Sequence, residues 1–125
     1  MVDRLGAGLA WLDRQRERFM TRAVTYLRGA QAVTVRATIG RTVFRLDTAY
    51  GGAERIASRD YLIRAAHLAA FGEPQRGDRV IETAGGLRHI HEILAPGQEP
   101  AWTWTDPDRR TYRIHAKHLT SEPIP

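Results

Sequence analysis

Arg79-Val80-Ile81-Glu82-Thr83-Ala84-Gly85-Gly86-Leu87-Arg88-His89-Ile90-His91-Glu92-Ile93-Leu94 reads as a β-hairpin. A Gly-Gly pair between two runs of alternating residues supplies the positive backbone angles that a two-residue hairpin turn requires. The turn fixes the register. Glu82 falls opposite His89, Arg79 opposite Glu92 and Ile81 opposite Ile90. Neither face of this hairpin is wholly apolar, so part of the outer face is expected to be covered by a helix or by a neighbouring subunit. Just before it, Pro74-Gln75-Arg76-Gly77-Asp78 forms a turn: proline fixes φ, glycine takes the unusual angle and aspartate bonds back to the main chain.

Downstream, Ala101–Thr105 and Thr111–His118 form a second hairpin around Asp106-Pro107-Asp108. Trp102 and Trp104 lie two apart and share one side of their strand, as do Arg113, His115 and Lys117 on the other. Loop parity decides which rows meet. A loop from Asp106 to Arg109 pairs Trp104 with Thr111 and Trp102 with Arg113, setting the indoles beside the basic row. One more loop residue pairs them with Tyr112 and Ile114 and makes them core. The first register makes an aromatic and basic binding surface; the second, an apolar anchor or subunit interface.

Upstream, Val33, Val35, Ala37 and Ile39 alternate with polar residues, Gly40-Arg41 reads as a turn, and Thr42–Asp47 returns as a second strand. Gly51-Gly52 marks a loop, and Asp60–Phe71 a strand leading into a short turn. Leu5, Leu9, Leu12, Phe19, Ala23 and Leu27 recur near helical spacing, with Asp3 as cap and Gly29 as stop. The expected fold is mainly β: a small barrel or sandwich of about six to seven strands with an N-terminal α-helix. Its parts are an amphipathic helix over 1–29, a β-barrel domain over 30–119 and a loose tail over 120–125.

The chain has 125 residues, 42% of them hydrophobic, which suits one compact domain. No signal peptide and no membrane span are read. Cysteine is absent, which removes disulfides and thiolate chemistry. Net charge is +5, unevenly placed. Residues 1–46 hold nine Arg against Asp3, Asp13 and Glu17, while residues 47–125 hold ten bases and eleven acids. The first third is therefore the expected contact for something anionic.

Catalytic signatures are scarce. Ser58 and Ser121 are the only serines and neither sits in a Gly-x-Ser-x-Gly turn. Asp60 with His67, or Asp106 with Asp108, are the acid–base pairs one can draw, and the second pair is better read as turn formers. His89 and His91 form a His-x-His pair, with His115 and His118 further on, so His89, His91 and His115 are the candidate metal ligands. Glu82 opposite His89 gives the plainer reading, a cross-strand polar pair. No enzyme activity, metal or cofactor is expected.

Tyr61-Leu62-Ile63-x-Ala65-x-x-Leu68, Pro74-x-x-Gly77-Asp78-x-Val80, His91-Glu92-Ile93-Leu94 and Glu99-Pro100-x-Trp102-x-Trp104-x-Asp106-Pro107-x-Arg109-Arg110-Thr111-x-Arg113-Ile114-His115-x-Lys117 together resemble the head–tail joining proteins of tailed bacteriophages, also called head-closure, stopper or connector proteins. The resemblance covers about residues 60–119.

It implies a small β-barrel that assembles as a ring at the virion neck, made in the bacterial host cytoplasm. Its partners would be its own copies, in a ring formed alone or only on the portal, portal or adaptor and tail proteins, and non-specific double-stranded DNA in the channel. Arg36, Arg41, Arg45, Arg113 and Lys117 are the expected channel residues. Trp102, Trp104 and Tyr112 are expected at an interface, and Leu9, Leu12, Phe19 and Ala23 on a docking helix. Two other readings stand beside it. One is a barrel that binds single-stranded nucleic acid through Trp102, Trp104 and Arg113. The other is a small metal-dependent enzyme using His89, His91 and His115.

Overall fold

A computed structural model describes residues 21–125. Seven strands follow in order: β1 (Thr21–Arg28), β2 (Gln31–Asp47), β3 (Ala53–Arg64), β4 (Arg79–Ala84), β5 (Leu87–Ile93), β6 (Trp102–Trp104) and β7 (Thr111–Pro123). One 3₁₀ turn, Ala65–Leu68, follows β3. All pairings are antiparallel, in the order β3-β2-β1-β4-β5-β7-β6. β3 also pairs with β7, so the ladder returns on itself. The mainly β expectation holds.

The helix read over 3–28 lies mostly outside the described residues, and so do Leu9, Leu12 and Phe19. Its last part is a strand. Thr21–Arg28 pairs residue for residue with Gln31–Thr38. Two periodicities compete here. Ala23 and Leu27 fit a helical face, but Val24 and Tyr26 fit an alternating one, and both are buried. Tertiary packing decides for the second, and Ala23 ends exposed on the opposite face. Gly29, with φ of 59°, turns a hairpin rather than ending a helix.

The turn read at Gly40-Arg41 is absent, and β2 runs straight through. Glycine is there for space, because a Cβ would lie 3.3 Å from Arg113 Nη2 and 3.5 Å from Leu62 Cδ1. The tail over 120–125 is also more ordered than read. β7 continues to Pro123, opposite Leu87, and the Ile124 amide donates to the Gly86 carbonyl at 3.1 Å. A terminal proline costs no ladder bond when it closes the last pair.

The core gathers Val24, Tyr26, Val35, Ala37, Tyr61, Ile63, Val80, Ile93, Tyr112, Ile114 and Ala116 from the inner faces of the strands, with Leu68 from the 3₁₀ turn. Past the last β1 and β7 partners, Thr42–Asp47 and Ala53–Ser58 continue as a two-stranded ribbon of six register pairs. One side of the ribbon folds back on the body. Phe44 meets the His115 ring edge-on at 4.9 Å, and Leu46 lies so near the 94–97 loop that a Cβ on Gly97 would come within 2.5 Å of it.

Candidate assembly and DNA-facing surfaces

Much of the arginine surplus is spent on three buried carboxylates. Asp78 accepts from Tyr26 Oη, from Arg28 Nε at 3.0 Å and from Arg28 Nη2 at 2.9 Å. Arg28 also donates to the Phe71 and Glu73 carbonyls, tying the Pro74–Asp78 turn to β1. Asp78 bonds back to the Gln75 amide at 3.0 Å, as its place in that turn predicts. Burial raises the Asp78 carboxyl, but bonds from Arg28 and Tyr26 outweigh it and hold it below the usual range.

Glu82, on β4, is gripped by Arg59 Nε at 2.6 Å and Nη2 at 2.7 Å, by Arg22 Nη1 at 3.1 Å and by Tyr61 Oη. Burial pushes Glu82 up, and the Arg59 and Tyr61 bonds bring it down to about 2. Register places Glu82 opposite His89 as read. The side-chain contacts differ, because Arg59 and Tyr61 reach the carboxylate from β3 while His89 turns to Ser121 at 2.8 Å.

Asp60 lies on the other face of β3. It accepts from Arg113 Nε at 2.7 Å and from the Thr42 and Ser58 hydroxyls, with His115 Nδ1 at 2.8 Å. Burial raises its carboxyl, and bonds from His115, Ser58 and Thr42 outweigh that, leaving it at about 2. Ser58, His115 and Asp60 do not form a proton relay. Ser58 Oγ bonds Asp60 and stands 3.4 Å from His115 Nδ1, the nitrogen that already faces the carboxylate. A Ser-His-Asp relay needs the two partners on opposite ring nitrogens.

The metal set read from sequence is divided by the sheet. His89 and His91 share the inner face, whereas His115 points outward to Asp60. His118 takes its place, with its ring 5.4 Å from His91 and 6.3 Å from His89. These three line a recess of about 300 Å³ with Arg22, Arg59 and Glu82. His118 Nε2 lies 2.8 Å from Ser121 Oγ, the hydroxyl that also meets His89. Among the described residues His91 Nδ1 has no hydrogen-bond partner, and burial, opposed by Glu82, lowers the His91 pKa. Among the described residues no group of three or more His, Asp or Glu is placed to hold a metal ion.

Loop parity resolves to the longer turn. Trp102 pairs with Ile114 and Trp104 with Tyr112, across a loop capped by Asp106, which accepts from the Arg110 and Thr111 amides. Trp104 stacks on Tyr112 at 4.7 Å, and Trp102 meets both rings edge-on at 5.0 and 4.8 Å. Tyr112 is buried and both indoles are half-buried against the core. They lie across the sheet from Arg113.

The five channel candidates separate. Arg113 is consumed by Asp60 and by the Arg41 carbonyl at 3.1 Å. Lys117 is exposed opposite Glu92. Arg36 is exposed on the opposite face of β2 from Arg41 and Arg45. Arg41 and Arg45 share the solvent side of the ribbon with Val43 and with Arg55, which lies directly opposite Arg45. The Arg41, Arg45 and Arg55 side chains make no ion pair with any described residue. Arg55 was not singled out in the sequence, because its partner strand emerges only once β2 and β3 are in register.

No curated protein gives a significant match to this chain. A family model described as phage head-tail joining protein matches residues 2–123. The match spans both hairpins, the ribbon and all three carboxylate clusters, and so reaches well past the segment from Tyr61 to Lys117 that carries the sequence resemblance. The chain belongs to the phage head–tail joining proteins.

Proposed function

We propose that this protein is a structural, non-enzymatic component of the virion neck that joins the portal to the tail as a ring of copies around the DNA exit. The observation that carries the reading is family membership across residues 2–123. We infer that the returning ladder forms the small barrel of each subunit. A ring requires two different lateral surfaces, since a heterologous contact that closes makes a cyclic assembly. Arg41 and Arg45, with Arg55 beside them, face the packaged double-stranded DNA and hold it through phosphates without reading sequence. The subunit is made in the host cytoplasm and ends in the neck.

Electron microscopy of the purified protein mixed with its cognate portal is expected to show a ring coaxial with the portal. A portal left bare at saturating protein, with no binding to any tail component either, would overturn the reading. The single-stranded nucleic-acid reading loses its platform, because Trp102 and Trp104 pack on Tyr112 and leave Arg113 on the other face.

A further inference from the structure

We propose that copies of this chain join edge to edge, the outer edge of β6 in one copy adding a strand to the β3 side of the ribbon in the next. This inference rests on the ring reading and names the two lateral surfaces that such a ring requires.

The ladder bonds fix which backbone groups are left over. In an antiparallel pair, alternate residues bond the partner strand, and the residues between them turn their amide and carbonyl to the other side. The Ala65 amide donates to the Arg110 carbonyl at 2.8 Å, and counting back in register puts Ile63, Tyr61 and Arg59 in bonds with β7. The same alternation turns Ala57, Arg55 and Ala53 toward that side, where β7 no longer runs. Past the Arg59–Ala116 pair β7 swings to β5, with Lys117 opposite Glu92. Ala53, Arg55 and Ala57 are all exposed. A groove of about 470 Å³ opens at this fork, lined in part by Ile56, Ala57, Leu94, Pro96, Arg76 and Lys117. An unpaired edge of this kind is a template for a strand from another chain.

The second edge belongs to β6. The His115 amide donates to the Ala101 carbonyl at 2.9 Å and the Thr105 amide to the Thr111 carbonyl at 3.0 Å. Trp102 and Trp104 therefore direct their amides and carbonyls away from β7. Among the described residues no other strand pairs with β6. The two edges cannot meet within one chain, because β3 and β6 flank β7 on opposite sides over Tyr112–Ile114. They face apart, so each β6-to-β3 contact between copies leaves one edge of each kind free at the ends. Such a contact is heterologous and propagates until it closes. Charge agrees with the match. Arg76 and Lys117 make no ion pair with any described residue. The segments flanking β6 carry Glu99, Asp106 and Asp108 against Arg109 and Arg110, a net negative charge.

The chain has no cysteine, so engineered thiols report without background. Ala57→Cys and Thr103→Cys, both at exposed positions, are combined in one chain, assembled with the cognate portal and treated with a short bismaleimide. Denaturing gels and peptide maps are expected to show a ladder of covalent oligomers joined from position 57 to position 103. It should form at least tenfold faster than with a control pairing Thr34→Cys with Thr103→Cys. Ala57→Pro removes an amide that faces the open edge and no bond to β2, so this variant should stay folded by circular dichroism and fail to form the ring. If it does not fold, the cross-link alone decides. Links joining 57 to 57 or 103 to 103, or rates no faster than the control, would overturn the proposal, as would a ring built by folded Ala57→Pro. Electron microscopy of the same samples separates the two readings. A coaxial ring without the 57-to-103 link leaves the neck role standing and removes only this contact, whereas a bare portal removes both.

Discussion

Arg113 Nε lies 2.7 Å from Asp60 Oδ2, and the same guanidinium passes over Gly40, where a Cβ would come within 3.3 Å of Nη2. The glycine and the arginine are one device, and their substitutions should be coupled. Gly40→Ala alone is expected to cost about 1 kcal/mol, the strain outweighing the usual gain from a less flexible unfolded chain. In an Arg113→Ala background the same change should be neutral or stabilising. Urea unfolding of the two singles and the double closes the cycle, and simple additivity would refute the coupling.

Asp60 carries more than Arg113. Asp60→Ala leaves a guanidinium, two hydroxyls and His115 without their acceptor. Breaking a buried pair from one side costs about 3–5 kcal/mol, and partial exposure of Arg113 places this case at the low end, about 3 kcal/mol. The ribbon is bound to the body through Thr42 and Phe44 at this same place, so hydrogen exchange in 42–47 and 53–58 should rise most.

Acid is expected to unfold the protein in a definite window. Asp60 and Glu82 sit near 2 when folded, against roughly 3.9 and 4.3 in an unfolded chain. Because the folded values are depressed, the stability they contribute is complete above the unfolded values and fades as pH falls toward 2. His91, also lowered, acts in the same direction from about pH 6.5 downward, since the unfolded chain takes up its proton first. The urea midpoint should fall gently below about pH 6.5 and steeply below about 4. Glu82→Gln should flatten the lower part, and an unchanged slope would show that Glu82 is not coupled to folding.

Trp102 and Trp104 should behave as core. Trp104→Ala is expected to cost about 2–3 kcal/mol, the lower part of the range for large aromatic truncations because the ring is only half-buried. Tryptophan fluorescence should be unmoved by single-stranded oligonucleotides at moderate salt. Strong quenching would return the aromatic pair to a base-stacking role.

Phosphate contact should belong to one side of the ribbon. Binding of mixed-sequence duplex DNA, measured against salt, should lose about 0.9 from its log–log slope for each phosphate contact removed. Arg45→Ala with Arg55→Ala should lower the slope by about twice that, and Arg36→Ala should leave it unchanged. Arg45 and Arg55 are like charges directly opposite, so Arg55→Ala should also stabilise the free protein by a few tenths of a kcal/mol. Equal effects at Arg36 would remove the ribbon's special role.

The sequence was legible where a turn dictated register. Gly85-Gly86 placed Glu82, Ile81 and Arg79 opposite their partners without error, because the turn leaves one way to pair. The second hairpin stayed open until the structure, since one loop residue reverses every side chain and Asp106-Pro107-Asp108 suits either length. Thr21–Arg28 misled because short segments satisfy two periods at once, and only Val24 and Tyr26 in the core break the tie. Gly40 misled for another reason: it reads as a turn, and its purpose is a guanidinium arriving from β7, far away in sequence. The three carboxylate clusters were invisible for the same cause. Arg28 meets Asp78, Arg59 meets Glu82 and Arg113 meets Asp60 across separations no local pattern reports.

The six pairs of the ribbon have no third strand, whereas the rest of β2 and β3 is flanked on both sides or enclosed by the returning ladder. Cooperative opening therefore has a natural seam at Arg41 and Arg59. Beyond it, amides are released by losing the Phe44 and Leu46 contacts and the Thr42 and Ser58 bonds to Asp60; within it, release demands breaking the whole circuit. The molecule thus behaves as two concentric stabilities, a collar that yields only when everything does and an arm that can be remodelled while the collar keeps its shape.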